Sequence, residues 1–314
     1  MKKLLTIRPF KRGHIRSGIH YISFEVYGNP KGHPWMFCHG GPGYHCVPSS
    51  NLQNFNLKKD MIILFDQRGS GKSTPATELK FNTTNHLVSD MNSILEYLKV
   101  PKVNLLGGSW GSTLALVFGI KYPKKVKSMI LRGVFLGRKQ DVWQIYKPNK
   151  LWSQNQKEKF DLTLGVIKRK FNIKNFLTDG AKILKKNDQY SLTFSKLWAA
   201  YEDLICTKSW KIIDYDNQYL KMAMDISSIE IHYFKNNCFL PKNYILRNAK
   251  KLKDIKIQLV QGGEDMVCPP NQARQLLTAL DKGNLYIDPI GGHSSTKRMN
   301  KIIKNKVRQF GRIK

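Results

Sequence analysis

Six short, nearly continuous apolar runs constrain this chain more than anything else in it: Trp35 to Cys38, Met61 to Phe65, Val103 to Leu106, Ser128 to Leu131, Ile255 to Val260 and Leu285 to Ile287. Runs of this kind suit strands of a parallel sheet covered on both faces, where neither side of a strand meets water. Several pass directly into Gly-rich or polar loops, as strands do at the carboxyl edge where α/β sites form. An earlier segment, His20 to Tyr27, alternates apolar Ile22, Phe24 and Val26 with Tyr21, Ser23 and Glu25, the period of a half-buried strand that the Gly28-Asn29-Pro30 turn ends. From about Gln140 to Arg247 the short runs stop, and helical-looking segments rich in Lys, Trp, Tyr and Phe take over. The 314 residues can hold one large core and a smaller insertion. The expected architecture is α/β: a mostly parallel central sheet flanked by helices, its core formed by residues 1–139 and 248–314, with a helical cap domain inserted at 140–247.

Gly107-Gly108-Ser109-Trp110-Gly111 follows the run Val103 to Leu106 and precedes an apolar helical stretch, Thr113 to Ile120, that Pro123 closes off. This is the strand, sharp turn and helix context that a G-x-S-x-G nucleophile motif requires, with small residues on both sides exposing the serine hydroxyl. Two further loops complete the chemistry in the order serine, acid, histidine. Gly262-Gly263-Glu264-Asp265 follows Ile255 to Val260, and Gly291-Gly292-His293 follows Leu285 to Ile287. Asp265 can orient the imidazole and His293 can take the Ser109 proton, with Glu264 and Asp288 as competing acids. His39-Gly40-Gly41-Pro42-Gly43, directly after Trp35 to Cys38, stands where an oxyanion hole is built, so the N–H groups of Gly41 and Trp110 are the expected donors. His39 then shapes that loop and has no catalytic role.

The formal net charge of +31 invites a nucleic-acid reading, because neutralising phosphates rewards a basic surface. Yet 41 of the 53 basic residues are Lys and only 12 are Arg, spread along the whole length beside many Asn and Ile. No Arg-rich arm, zinc finger or aromatic RNA-binding motif accompanies them, so no specific nucleic-acid partner is expected. Gly69-Ser70-Gly71-Lys72-Ser73 looks like the end of a phosphate-binding loop, but the first glycine of that motif would fall at Asp66, and Thr74-Pro75 disfavours the helix that should follow. The five scattered cysteines have neither zinc-site spacing nor disulfide density, so no metal and no cofactor is expected. The apolar run Leu4 to Ile7 stops at Arg8-Pro9, too short for an export signal, and no stretch of about 20 apolar residues offers a membrane span. A cytoplasmic protein is expected.

Across nearly the whole chain these residues resemble the proline iminopeptidases (prolyl aminopeptidases), serine peptidases of the α/β-hydrolase fold. The resemblance rests on His39 to Gly43, Asp66-Gln67-Arg68-Gly69 with Gly71 and Ser73-Thr74-Pro75, Asn82-Thr83-Thr84, Gly107 to Thr113, Leu131-Arg132-Gly133, and Asp265 with Cys268-Pro269. It implies release of an N-terminal proline from small peptides, and cap carboxylates around the substrate's free amine. Trp198-Ala199-Ala200-Tyr201-Glu202 is similar to the family's Trp-x-x-Trp-Glu, and Ile229-Glu230-Ile231-His232-Tyr233-Phe234 to its Ile-Glu-x-His-Tyr-Phe, which makes Glu202 and Glu230 the expected amine anchors. Trp110, Trp198, Tyr201 and Phe234 are candidates for an apolar wall against the pyrrolidine ring, with core packing as the equal alternative.

The chain departs from the family pattern at Tyr201, at Tyr44-His45-Cys46 after the oxyanion loop, at Gly263-Glu264 before Asp265, and at the basic Ser294 to Arg298 after His293. An esterase or amidase with another acyl specificity, and a non-catalytic basic binding protein on the same scaffold, are the competing readings.

Overall fold

In the computed structural model, which describes residues 7–146, 154, 158, 173–207 and 217–312, the apolar runs form the middle of one eight-stranded sheet. Its strands are β1 (Lys11–Ser17), β2 (His20–Gly28), β3 (His33–Cys38), β4 (Asp60–Phe65), β5 (Val103–Gly108), β6 (Val126–Arg132), β7 (Lys256–Gly262) and β8 (Asn284–Asp288), in the order β1-β2-β4-β3-β5-β6-β7-β8. From β4 to β8 every neighbouring pair is parallel, while β1 and β2 run antiparallel. This is the expected α/β architecture. One strand escaped the sequence reading. β1 is a mostly polar edge hairpin arm, and only Ile15 of its seven residues is an aliphatic side chain against the core.

The parallel strands are buried on both sides because consecutive residues face opposite clusters. Ile62 and Leu64 of β4 pack with Trp35, Leu106, Ile130 and Val260 on one face, and Ile63 and Phe65 with Met36, Leu105, Met129 and Leu259 on the other. Among the described residues the helices are α1 (Pro48–Asn51), α2 (Thr84–Tyr97), α3 (Trp110–Lys121), α4 (Lys139–Tyr146), α5 (Ile173–Lys185), α6 (Gln189–Thr207), α7 (Asn217–Lys235), α8 (Tyr244–Asn248), α9 (Pro270–Leu280) and α10 (Lys297–Phe310).

Helix α3 is buried at every position from Trp110 to Ile120, as an apolar-all-round helix must be, because it lies between the sheet and its neighbours. On the opposite face α10 presents Met299, Ile303, Val307 and Phe310 to the sheet and its lysines to water. Between β6 and β7 the described residues carry helices and no strand. No described helix is long and apolar enough to cross a membrane.

The inserted helices are fastened to the core by polar contacts that the sequence does not announce. His232 Nε2 and Tyr233 Oη meet the carbonyl and side-chain oxygens of Asn82, each at 2.8 Å, and the Asn82 amide in turn donates to the carbonyl of Arg68 at 3.0 Å. The Gly69–Ser73 loop, which failed as a phosphate loop, is a docking point. Gly71 N–H donates to Asp225 on α7 (3.3 Å), and its carbonyl accepts from Lys221 (3.0 Å).

Candidate active site

Ser109 joins β5 to α3 with φ 56° and ψ −128°, a conformation that costs a non-glycine residue about 1–3 kcal/mol and persists only where its surroundings enforce it. Its N–H donates to the Arg132 carbonyl at 2.9 Å, and its carbonyl accepts from Ser112 N–H at 2.8 Å. Close packing fixes the turn as well: a Cβ on Gly111 would collide with the Cys38 carbonyl of β3. The elbow thus forms because β3, β5 and β6 hold both of its flanks.

Asp265 and His293 come together from loops after β7 and β8. His293 Nδ1 stands 2.9 Å from Asp265 Oδ2 and 3.0 Å from Oδ1, both residues being buried. The carboxylate is also held by the N–H groups of Val267 (3.0 Å) and Cys268 (2.8 Å) and by the Gln261 amide (3.0 Å), which orient it and satisfy its charge. Of the competing acids, Asp288 instead accepts from the hydroxyl of Thr296, the residue that caps α10. Ser109 and His293 line one cavity of about 410 Å³.

Gly40 and Gly41 line the same cavity, and Gly40 lies against Ser109. Trp110 is the first residue of α3, so its N–H is one of the helix donors that have no intrahelical partner. A network that sequence reasoning missed supports this loop. Gln67 N–H donates to His39 Nε2 (2.9 Å), which leaves the ring proton on Nδ1 facing the Gly40 carbonyl (2.9 Å). The Gln67 side chain donates to the His39 carbonyl (2.9 Å) and accepts from the Trp110 indole (2.8 Å). Burial lowers the His39 pKa to about 4, so its ring is a neutral brace at neutral pH. Further along, Gly43 at φ 99° passes so close beneath α7 that a Cβ there would stand 2.7 Å from the Asp225 carbonyl.

Two helices of the stretch between β6 and β7 bring carboxylates to the cavity. Glu202 of α6 and Glu230 of α7 both line it. Burial raises the Glu202 pKa to about 7 against the lowering effect of the Tyr146 hydroxyl, which donates to it at 3.1 Å. Glu230 is pushed well above the usual carboxylate range, first by burial and then by the charge of Glu202, while the Trp198 indole donates to it at 2.7 Å. Burial, and for Glu230 also the charge of Glu202, thus disfavour both acids ionising together.

The aromatic residues read as candidates for the pyrrolidine wall belong to the core instead. Trp110, Trp198, Tyr201 and Phe234 are at most 4% exposed, and none of them lines the cavity. Trp198 stacks on Phe176 at 5.3 Å and Trp110 packs edge-on to Tyr233 at 5.0 Å, so they brace the carboxylates and the elbow from behind. The apolar lining includes Phe37, Tyr44, Leu106, Ile130, Ile226 and Ile303, whose spacing in the sequence gave no sign of their convergence.

This fold places the chain among the α/β hydrolases, and residues 34–296 match the family described as alpha/beta hydrolase fold. The proline iminopeptidase of Arabidopsis thaliana is 34% identical over 297 residues, covering 93% of this chain and 77% of that protein. That of Xanthomonas citri is 32% identical over 301 residues and 94% of each chain. The chain belongs to the proline iminopeptidase family. Among solved structures, a proline iminopeptidase of Mycobacterium smegmatis superposes with a TM-score of 0.64 at 13% identity, covering 96% of this chain and 99% of that one. An esterase of Exiguobacterium antarcticum superposes almost as well, at 0.60 and 17% identity over 96% of this chain and all of that one, so the shared fold alone does not separate the two activities.

Proposed function

We propose that this protein is a prolyl aminopeptidase that releases N-terminal proline from small peptides through a Ser109, His293, Asp265 triad. The observation that carries the reading is the pair of cap carboxylates, half-buried Glu202 and buried Glu230, lining the same cavity as Ser109 and His293. A hydrolase of neutral esters has no use for two such acids, whereas a peptide's charged amine matches them. The insertion 140–247 acts as a cap domain on the core of residues 1–139 and 248–314, and it carries these amine anchors.

In this mechanism Glu202 and Glu230 bind the secondary ammonium of the proline and set its carbonyl carbon against Ser109. His293 takes the Ser109 proton as the oxygen attacks, and Asp265 stabilises the resulting imidazolium. The N–H groups of Gly41 and Trp110 hold the oxyanion. His293 then protonates the departing peptide nitrogen, and water, activated by the same imidazole, hydrolyses the prolyl-enzyme. The His39 brace and the strained Ser109 backbone serve this by fixing both donors and nucleophile before substrate arrives.

The test compares proline β-naphthylamide with its N-acetylated form and with the alanine analogue. Cleavage confined to the free-amine proline substrate supports the reading. Equal cleavage of the acetylated form would keep a hydrolase and remove the amine-anchor role.

A further inference from the structure

We propose that Arg132 recognises the α-carboxylate of the departing amino acid, so that dipeptides of the form Pro-X with a free C-terminus are the favoured substrates. This rests on the prolyl aminopeptidase reading and extends it to the leaving-group side of the site. Arg132 ends β6 and lines the cavity, half-buried. Its guanidinium lies beside Gly108, the residue before the nucleophile: a Cβ placed on Gly108 would stand 2.8 Å from Arg132 Nη2. Its Nη1 donates to the carbonyl of His293. Among the described residues it forms no ion pair, although the charge is permanent. The nearby carboxylate of Asp265 is already committed to His293, Val267, Cys268 and Gln261.

Where a carboxylate would go follows from the chemistry. The leaving nitrogen must receive a proton from His293, so it sits against that imidazole. In a dipeptide the carboxylate carbon is two bonds from this nitrogen, within reach of a guanidinium attached to the same histidine's main chain. In a longer peptide a neutral amide carbonyl takes that place, and a fork built for a bidentate carboxylate loses its match. The cavity then has opposite charges for the two ends of a zwitterionic dipeptide: Glu202 and Glu230 for the amine, Arg132 for the carboxylate.

The experiment measures kcat/KM for Pro-Ala, Pro-Ala amide and Pro-Ala-Ala, with proline β-naphthylamide as reference, in wild type, Arg132→Gln and Arg132→Lys, at two salt concentrations. Wild type is expected to favour Pro-Ala over its amide by about 10- to 100-fold, the range of a charge-assisted hydrogen bond. Arg132→Gln brings that ratio close to one, and Arg132→Lys keeps part of it and carries the comparison where the glutamine variant does not fold. The ratio is the readout because a purely structural role, holding the His293 loop, would lower both rates together and leave it unchanged. That unchanged ratio, or a wild-type ratio near one, overturns the proposal. A ratio that vanishes at high salt in wild type also overturns it, assigning the preference to the overall +31 charge. Wild type that cleaves no proline substrate at all, the β-naphthylamide included, overturns the activity reading and this inference with it.

Discussion

Glu202→Gln should leave a more stable and much less active protein, and the direction follows from how Glu202 is held. Its carboxyl faces the cavity beside Glu230, with the Tyr146 hydroxyl donating to it. Glutamine can accept the same hydrogen bond through its amide oxygen, so the substitution removes a charge with little change of shape. The folded-state pKa is raised from 4.5 to about 7, so the carboxyl's contribution to stability is present at low pH and is lost as pH rises through about 7. Fully expressed, that loss is worth about 3 kcal/mol at 1.36 kcal/mol per unit. The glutamine variant has no proton to lose.

Thermal unfolding should therefore show wild type and variant within about 1 kcal/mol at pH 5, and the variant higher by up to about 3 kcal/mol at pH 8.5, on the order of 5 °C in Tm. Activity moves the other way. Removing one acid from a buried ion pair costs about 3 kcal/mol or more, on the order of 100-fold in kcat/KM for proline β-naphthylamide. A variant no more stable than wild type at pH 8.5, or one with unchanged kcat/KM, would refute this account of Glu202.

Three further perturbations test other parts of the structure. Asp265→Asn keeps the size of the side chain but places an NH2 among donors from Val267, Cys268 and Gln261 and loses control of the His293 tautomer, so kcat should fall by about 10⁴-fold with the fold retained by circular dichroism. Gly43→Ala forces a Cβ against the Asp225 carbonyl at φ 99°, which should lower stability by about 2 kcal/mol in denaturant titration and reduce kcat as the loop of residues 39–43 shifts. Arg68→Ala removes the guanidinium that holds buried Asp90 at 2.6 and 2.7 Å, so unfolding free energy should drop by about 3–5 kcal/mol, whereas Arg68→Ala Asp90→Ala should recover part of it.

The sheet and the loops that carry Ser109, Asp265 and His293 were legible because their signals are local. Val103 to Leu106 followed by Gly107 to Gly111 states a strand, an elbow and a helix within about a dozen residues, and the loops of Asp265 and His293 each follow their own apolar run. β1 was not legible, since a polar edge strand has no apolar run to show and gains its place by pairing with β2. The role of Gln67 was hidden, because it depends on partners far along the chain: Gln67 reaches Trp110 across 43 positions and His39, itself expected to shape the loop, across 28. The same holds for Gly71, whose partner Asp225 is 154 residues away. Trp198 shows how a residue's role stays ambiguous between ligand wall and core, because the sequence does not say which way an aromatic ring faces. Its indole donates to Glu230, so the ring positions that carboxylate from inside the core.

The most direct measurement for the central claim is covalent mapping. Wild-type protein would be treated with a diphenyl phosphonate analogue of proline, digested, and its peptides weighed, with and without excess Pro-Ala. The expected result is a single phosphonylated site at Ser109, prevented by Pro-Ala and absent from Ser109→Ala. Labelling of another residue, or an unmodified Ser109 in protein that still cleaves proline β-naphthylamide, would contradict the assignment of Ser109 as the nucleophile of a prolyl aminopeptidase.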